Sequence, residues 1–125
     1  MAENNDLRVI VKAKELAAHS FKLTSNINRY PKKYRHSLVD RIQLRSLDIY
    51  DNLLEANRIN NVTSKNLRCE KITKAIMYCD QLLFYIELSM ELTDQTSASI
   101  EYWSKMVTDV KYMAIRWRTT EKERN

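Results

Sequence analysis

Residues 97–120 read SASIEYWSKMVTDVKYMAIRWRTT. Within them Ile100, Trp103, Val107, Val110, Ala114 and Trp117 recur at alternating spacings of three and four. That rhythm gathers the apolar side chains on one stripe of a helix and leaves the polar residues to its remaining faces. A half-buried strand would instead alternate residue by residue. A lone helix cannot bury such a stripe, so the segment requires partner helices. Both tryptophans are read as core residues, with Trp117 half exposed. Ser97 or Ser99 is the expected N-cap.

Three further segments supply those partners. The first helix is predicted over 6–24, with Asp6 as N-cap and Val9, Ile10, Ala13, Leu16, Ala17, Ser20 and Phe21 on its apolar arc. Its other face carries Arg8, Lys12, Glu15, His19 and Lys22. Pro31, the lone proline, biases Tyr30 away from helix and marks a loop over 25–31. The second helix is predicted over 32–59 on Leu38, Ile42, Ser46, Ile49, Leu53 and Ala56, and Asn60-Asn61 stops it. The third is predicted over 64–92, with Ile72, Ala75, Ile76, Cys79, Leu82, Leu83, Ile86 and Met90 as its stripe, followed by a turn over 93–96. Helices of this length run about 30–42 Å, and short connections turn consecutive ones back on each other. The expected fold is all-α: a single domain over 1–125, an antiparallel up-down-up-down four-helix bundle.

Composition agrees. The chain has 125 residues, Gly 0 and Pro 1, which removes the phosphate-cradling loop, the dinucleotide fingerprint and the nucleophile elbow together. Cys69 and Cys79 lie ten residues apart on one predicted helix, about 80° apart around it, so they cannot pair there. No metal-type spacing exists, and no metal or cofactor is expected; reduced thiols suggest a cytoplasmic setting. Met1 to Asp6 is too polar for a signal peptide. The most apolar stretch, 72–90, is broken by Lys74, Asp80, Gln81 and Glu87, so no membrane span is expected.

No catalytic constellation emerges. His19 sits among Lys12 and Lys22 with no nucleophile at workable spacing, and His36 reads as surface or capping. Glu70 and Glu87 do not form the Glu-x-x-His pattern of di-iron bundles. The chain is therefore not expected to be an enzyme. Two surface features remain. Met77, Phe84 and Leu88 form a second apolar strip away from the core stripe, with Tyr78 and Tyr85 between the two, and Leu47 and Leu54 widen the second helix's arc. Leu47, Leu54, Met77, Phe84 and Leu88 are the expected oligomer interface.

The second feature is charge. Lys+Arg 21 exceed Asp+Glu 16, a net +5, and in the expected topology most of the excess collects at the end holding both termini. The first-choice nucleic-acid contacts are Lys65, Arg68, Lys71, Lys74, Arg116, Arg118, Lys122 and Arg124, acting by phosphate neutralisation and counterion release. At the opposite end Arg29, Lys32, Lys33, Arg35, Arg41 and Arg45 form a second cluster, opposed by Asp80, Glu87, Glu91, Asp94 and Glu101. That cluster is expected to contact nucleic acid or a protein partner.

The stretch 28–59, NRYPKKYRHSLVDRIQLRSLDIYDNLLEANRI, resembles the accessory variability determinant proteins of bacterial and phage diversity-generating retroelements. The resemblance rests on Tyr30-Pro31-Lys32, Arg35, Leu38, Arg41-Ile42 and Glu55-Ala56-Asn57-Arg58, with the helix pattern agreeing over nearly the whole chain. That group lies in a wider four-helix-bundle superfamily that includes proteins encoded in ribosomal RNA intervening sequences. The latter usually carry Ser-Ile-Pro near the end of helix two, where this chain has Leu53-Leu54-Glu55-Ala56. The resemblance implies a homopentamer that performs no chemistry and binds a reverse transcriptase and its template-repeat RNA in support of mutagenic cDNA synthesis. RNA or DNA is thus the expected nucleic acid, and the second cluster is expected to contact either that nucleic acid or the polymerase. The alternative is a stand-alone interaction protein of the intervening-sequence type.

Overall fold

The computed structural model describes residues 2–59 and 63–124, with side chains from residue 8 onward. Its long helices are α1 (Ala2–Thr24), α2 (Asp40–Arg58), α3 (Lys65–Leu92) and α4 (Ser97–Glu123), and among the described residues there is no strand. α1 packs on α2 and α4, and α3 packs on the same two helices. Each helix therefore buries its stripe against two neighbours.

The six stripe residues of α4 are all buried, as are the six of the second segment, Leu38 through Ala56. Trp103, near the start of α4, is fully buried. Its indole N–H donates to Ser20 Oγ at 3.0 Å, and the Ser20 hydroxyl donates to the Leu16 carbonyl at 2.8 Å. No buried polar atom is stranded in that chain of bonds, which is the condition for placing an indole in a core.

Several boundaries differ from expectation. α1 begins at Ala2, so Asp6 lies inside the helix and is not its N-cap. The single helix expected over 32–59 divides into a 3₁₀ turn at Lys32–Tyr34, a π turn at Arg35–Val39, and α2. Pro31 sits extended at φ −54°, ψ 150° and accepts the Tyr34 N–H at 3.0 Å, which forces the tight first turn. The wider π turn then brings Leu38 and Val39 both into the core. Asn60-Asn61 lie outside the described residues. α4 is capped by Thr96, whose hydroxyl accepts the Ser99 N–H at 3.1 Å, and not by Ser97 or Ser99. It also continues to Glu123.

Two core assignments are corrected. Met90 is 46% exposed, and Ser89 is fully buried in its stead. The three-four rhythm of Ile72, Ala75, Cys79, Leu82 and Ile86 lands on 89, and the Ser89 hydroxyl satisfies itself on the Tyr85 carbonyl at 2.8 Å. Trp117 is 5% exposed, not half exposed, because Arg68 of α3 covers its ring.

Buried and bridged titratable groups set the pH range of stability. His19, half-buried and edge-on to Tyr102 and Trp103, is lowered from 6.5 by burial and then by Lys22 and Arg29. Burial raises the Tyr30 phenol and pushes the Cys79 thiol up to about 12. Lys111 is raised chiefly by its hydrogen bond to Asp80 at 2.6 Å. As pH falls past 6.5 the unfolded chain takes up the histidine proton first, so stability drops. As pH rises, the unfolded thiol and phenol ionise from 9.0 and 10.0 while the folded ones stay neutral, and the Lys111 pair is lost above its folded value. Urea midpoints measured from about pH 5 to pH 11 are therefore expected to plateau between roughly 7 and 9 and to fall on both sides.

Candidate nucleic-acid interface

Each expected contact residue has a definite place. Lys65, Arg68, Lys71 and Lys74 are spaced by three, so successive members drift about 60° around α3. The drift carries Arg68, four residues before Ile72, onto the buried stripe. There its Nε lies 3.4 Å from Glu121 Oε1, its Nη1 donates to the Ile59 carbonyl at 3.4 Å, and its guanidinium lies over the Trp117 ring at 5.1 Å. Arg68 thus fastens α3 to α4 and is withdrawn as a phosphate contact. Glu121 is itself fully buried; it also accepts the Trp117 indole N–H at 3.3 Å and faces Arg124 Nη2 at 3.7 Å.

Most of the remaining first-choice cations are committed to partners within the chain. The Lys65 ammonium donates to the Arg124 carbonyl, Lys71 lies 3.8 Å from Glu55, and Arg118 donates to Thr73 Oγ1 at 3.3 Å. Lys74, Arg116 and Lys122 are exposed and have no partner among the described residues. These three are the uncommitted part of the expected site. Arg116 lies in a furrow between α1 and α4 with Arg8, Lys12 and Tyr112; Arg8 and Lys12 belong to the same basic end but were not among the expected contacts, and Tyr112 was not singled out. Their signal in the sequence is the pair Tyr102 and Tyr112, both off the α4 stripe and interleaved with basic residues.

The second cluster is also divided. Arg45 is held by Gln81 at 2.6 Å, Asp48 at 3.1 Å and the Tyr78 ring at 5.2 Å, and Arg29 donates to Ser99 Oγ at 2.9 Å. Lys33 lies over the Tyr34 ring at 5.1 Å. Lys32, Arg35 and Arg41 are exposed. Among the described residues none of Asp80, Glu87, Glu91, Asp94 and Glu101 pairs with this cluster; Asp80 turns to Lys111 instead.

The apolar strip stands mostly in solvent. Phe84 is 56% exposed, Met77 and Leu47 are also exposed, and Leu54 and Leu88 are half-buried. Phe84 and Leu88 border a groove of about 440 Å³ shared with Tyr34, Leu38 and Arg41. The histidines lie apart: His36 Nδ1 is 3.3 Å from exposed Asp40, and His19 is packed on aromatic rings. Among the described residues no three His, Cys, Asp or Glu side chains gather as metal ligands, and no helix is long and apolar enough to cross a membrane.

The chain matches no protein-family model, no curated protein and no solved structure. Its chemistry is therefore read from its own residues. A buried guanidinium whose carboxylate is removed loses compensation it cannot regain from water. Glu121→Ala is expected to lower the unfolding free energy by about 3–5 kcal/mol, seen as a lower urea midpoint at unchanged slope.

Proposed function

We propose that this chain is a non-catalytic accessory subunit that binds RNA, or DNA, chiefly through backbone phosphates. On the resemblance stated above, its partners are a retroelement reverse transcriptase and that enzyme's template RNA, in the cytoplasm, in support of mutagenic cDNA synthesis. The observation that carries the nucleic-acid part is the set Lys74, Arg116 and Lys122, exposed and uncommitted on a chain of net charge +5. Ammonium and guanidinium groups without an internal partner release counterions when they meet phosphates.

The same reading takes the four helices as an antiparallel up-down-up-down bundle. Ser20–Trp103 joins the end of α1 to the start of α4, and Arg68–Glu121 joins the start of α3 to the end of α4, as that topology requires. It takes the strip of Leu47, Leu54, Met77, Phe84 and Leu88 as the contact between copies, in a homopentamer. Solvated aromatic and methionine side chains in register favour burial on a partner.

Two measurements test this. The affinity of one RNA duplex, followed by fluorescence anisotropy from about 50 to 200 mM salt, is expected to fall steeply. The triple variant Lys74→Gln, Arg116→Gln, Lys122→Gln flattens that slope by about 0.9 for each phosphate that is no longer neutralised. Salt-independent binding, or none at low salt, defeats the proposal. In light scattering the protein is expected to exceed its chain mass of 14.9 kDa several-fold, and Phe84→Glu to shift it toward monomer, because a charge buried between apolar surfaces is costly. A wild-type mass near 14.9 kDa removes the self-association.

A further inference from the structure

α1 and α4 leave a furrow along their outer junction, formed by two hollows of about 260 and 420 Å³ that share Lys12 and Asp109 as walls. The first also has Glu15, Tyr102, Lys105 and Met106; the second adds Arg8, Tyr112, Met113 and Arg116. From Tyr102 to Arg116 the α4 wall runs about 21 Å, room for roughly six stacked nucleotides at the 3.4 Å spacing of one strand.

Two tyrosines stand in this furrow, 61% and 52% exposed for Tyr102 and Tyr112. Each ring offers solvent a flat apolar face with a polar tip, the amphipathic surface that binding sites use. Neither ring hangs free. The His19 ring meets Tyr102 edge-on at 5.4 Å between centroids, and the Lys111 ammonium, anchored by Asp80, lies 5.9 Å from the Tyr112 centroid. A braced ring has little freedom left to lose when a flat partner stacks on it.

The walls are basic on balance, with Arg8, Lys12, Lys105 and Arg116 against Glu15 and Asp109. Both acids are already answered, Glu15 by Lys12 at 3.6 Å and Asp109 by Lys105 at 3.0 Å. Such solvent-exposed pairs are weak and exchange readily for phosphate. Arg8 and Arg116 are exposed with no partner among the described residues.

We propose that the α1–α4 furrow is a binding site for single-stranded nucleic acid, with bases stacked on Tyr102 and Tyr112 and phosphates held by Arg8, Lys12 and Arg116. This rests on the nucleic-acid reading above and adds to it a strand type and a place. An acidic peptide would satisfy the cations but leave both rings without a planar partner, whereas every base has a face to stack. Duplex would meet the cations too, yet its bases are already stacked on each other.

The test uses the full chain and fluorescein-labelled oligo(U) and oligo(dT) of about fifteen nucleotides, with RNA duplex of equal length as the third probe. Tyr102→Ala and Tyr112→Ala are each expected to weaken oligo(U) about tenfold while leaving its salt slope and the duplex affinity unchanged. Tyr112→Phe keeps the ring and is expected to keep the affinity. Arg8→Gln and Arg116→Gln are each expected to flatten the single-strand slope by about 0.7. Oligo(dT) within a few-fold of oligo(U) makes the ligand any single strand; a large gap in favour of oligo(U) makes it RNA, read through the 2′-hydroxyl. If wild-type protein binds oligo(U) and the duplex but the two alanine variants bind oligo(U) unchanged, the furrow proposal is overturned and the phosphate-binding reading stands. If no probe binds at about 50 mM salt, both fall.

Discussion

The indole of Trp103 is the fixed point of this molecule. It is fully buried on the α4 stripe, and an indole N–H in a core must find an acceptor or forfeit its hydration. Ser20 of α1 provides it and is satisfied in turn by its own helix. That single bond requires a small hydroxyl at position 20, sets α1 against α4 in register, and brings His19 onto the ring beside it. The remaining stripes then have only one space to fill. Their residues are mostly aliphatic or small and pack closely, and the buried Ser46 and Ser89 hydroxyls are satisfied on carbonyls of their own helices.

A second buried polar group sits toward the other end of α4. Arg68 and Glu121 are charges inside a helical core, acceptable because each is answered several times: carboxylate by guanidinium and indole, guanidinium by carboxylate, carbonyl and ring. Lys65 and Arg118 add fastenings between α3 and the end of α4, Lys71 ties α3 to Glu55 of α2, and Arg124 turns back on Glu121. A basic tail and a basic helix start thus serve cohesion first. Of the eight cations expected to meet phosphates, Lys74, Arg116 and Lys122 are left without an internal partner among the described residues.

The surface that remains is divided by chemistry. The α2–α3 side presents Leu47, Met77 and Phe84, an apolar strip suited to another protein surface. The α1–α4 side presents two braced tyrosines among arginines and lysines, suited to a strand with bases and phosphates. These faces lie on different helix pairs, so self-association and strand binding need not compete for the same side chains. On the proposed reading, self-association would use the first surface and strand binding the second.

The sequence by itself determined the four helices and nearly all of the core. The three-four spacing of apolar residues is a local property, and with Gly 0 and Pro 1 few residues interrupt it. It erred where local and tertiary demands part. Met90 fits the helical period but lies off the seam that α3 shares with its neighbours, and Trp117 is covered by a side chain from another helix. Charge was legible as an amount but not as a role. Whether Arg68 meets a phosphate or Glu121 depends on a residue fifty-three positions away in the chain, and one-dimensional spacing holds no record of that meeting. The furrow of Arg8, Lys12, Tyr112 and Arg116 is of the same kind: its walls come from opposite ends of the chain. Only packing α1 on α4 puts them within reach of one ligand.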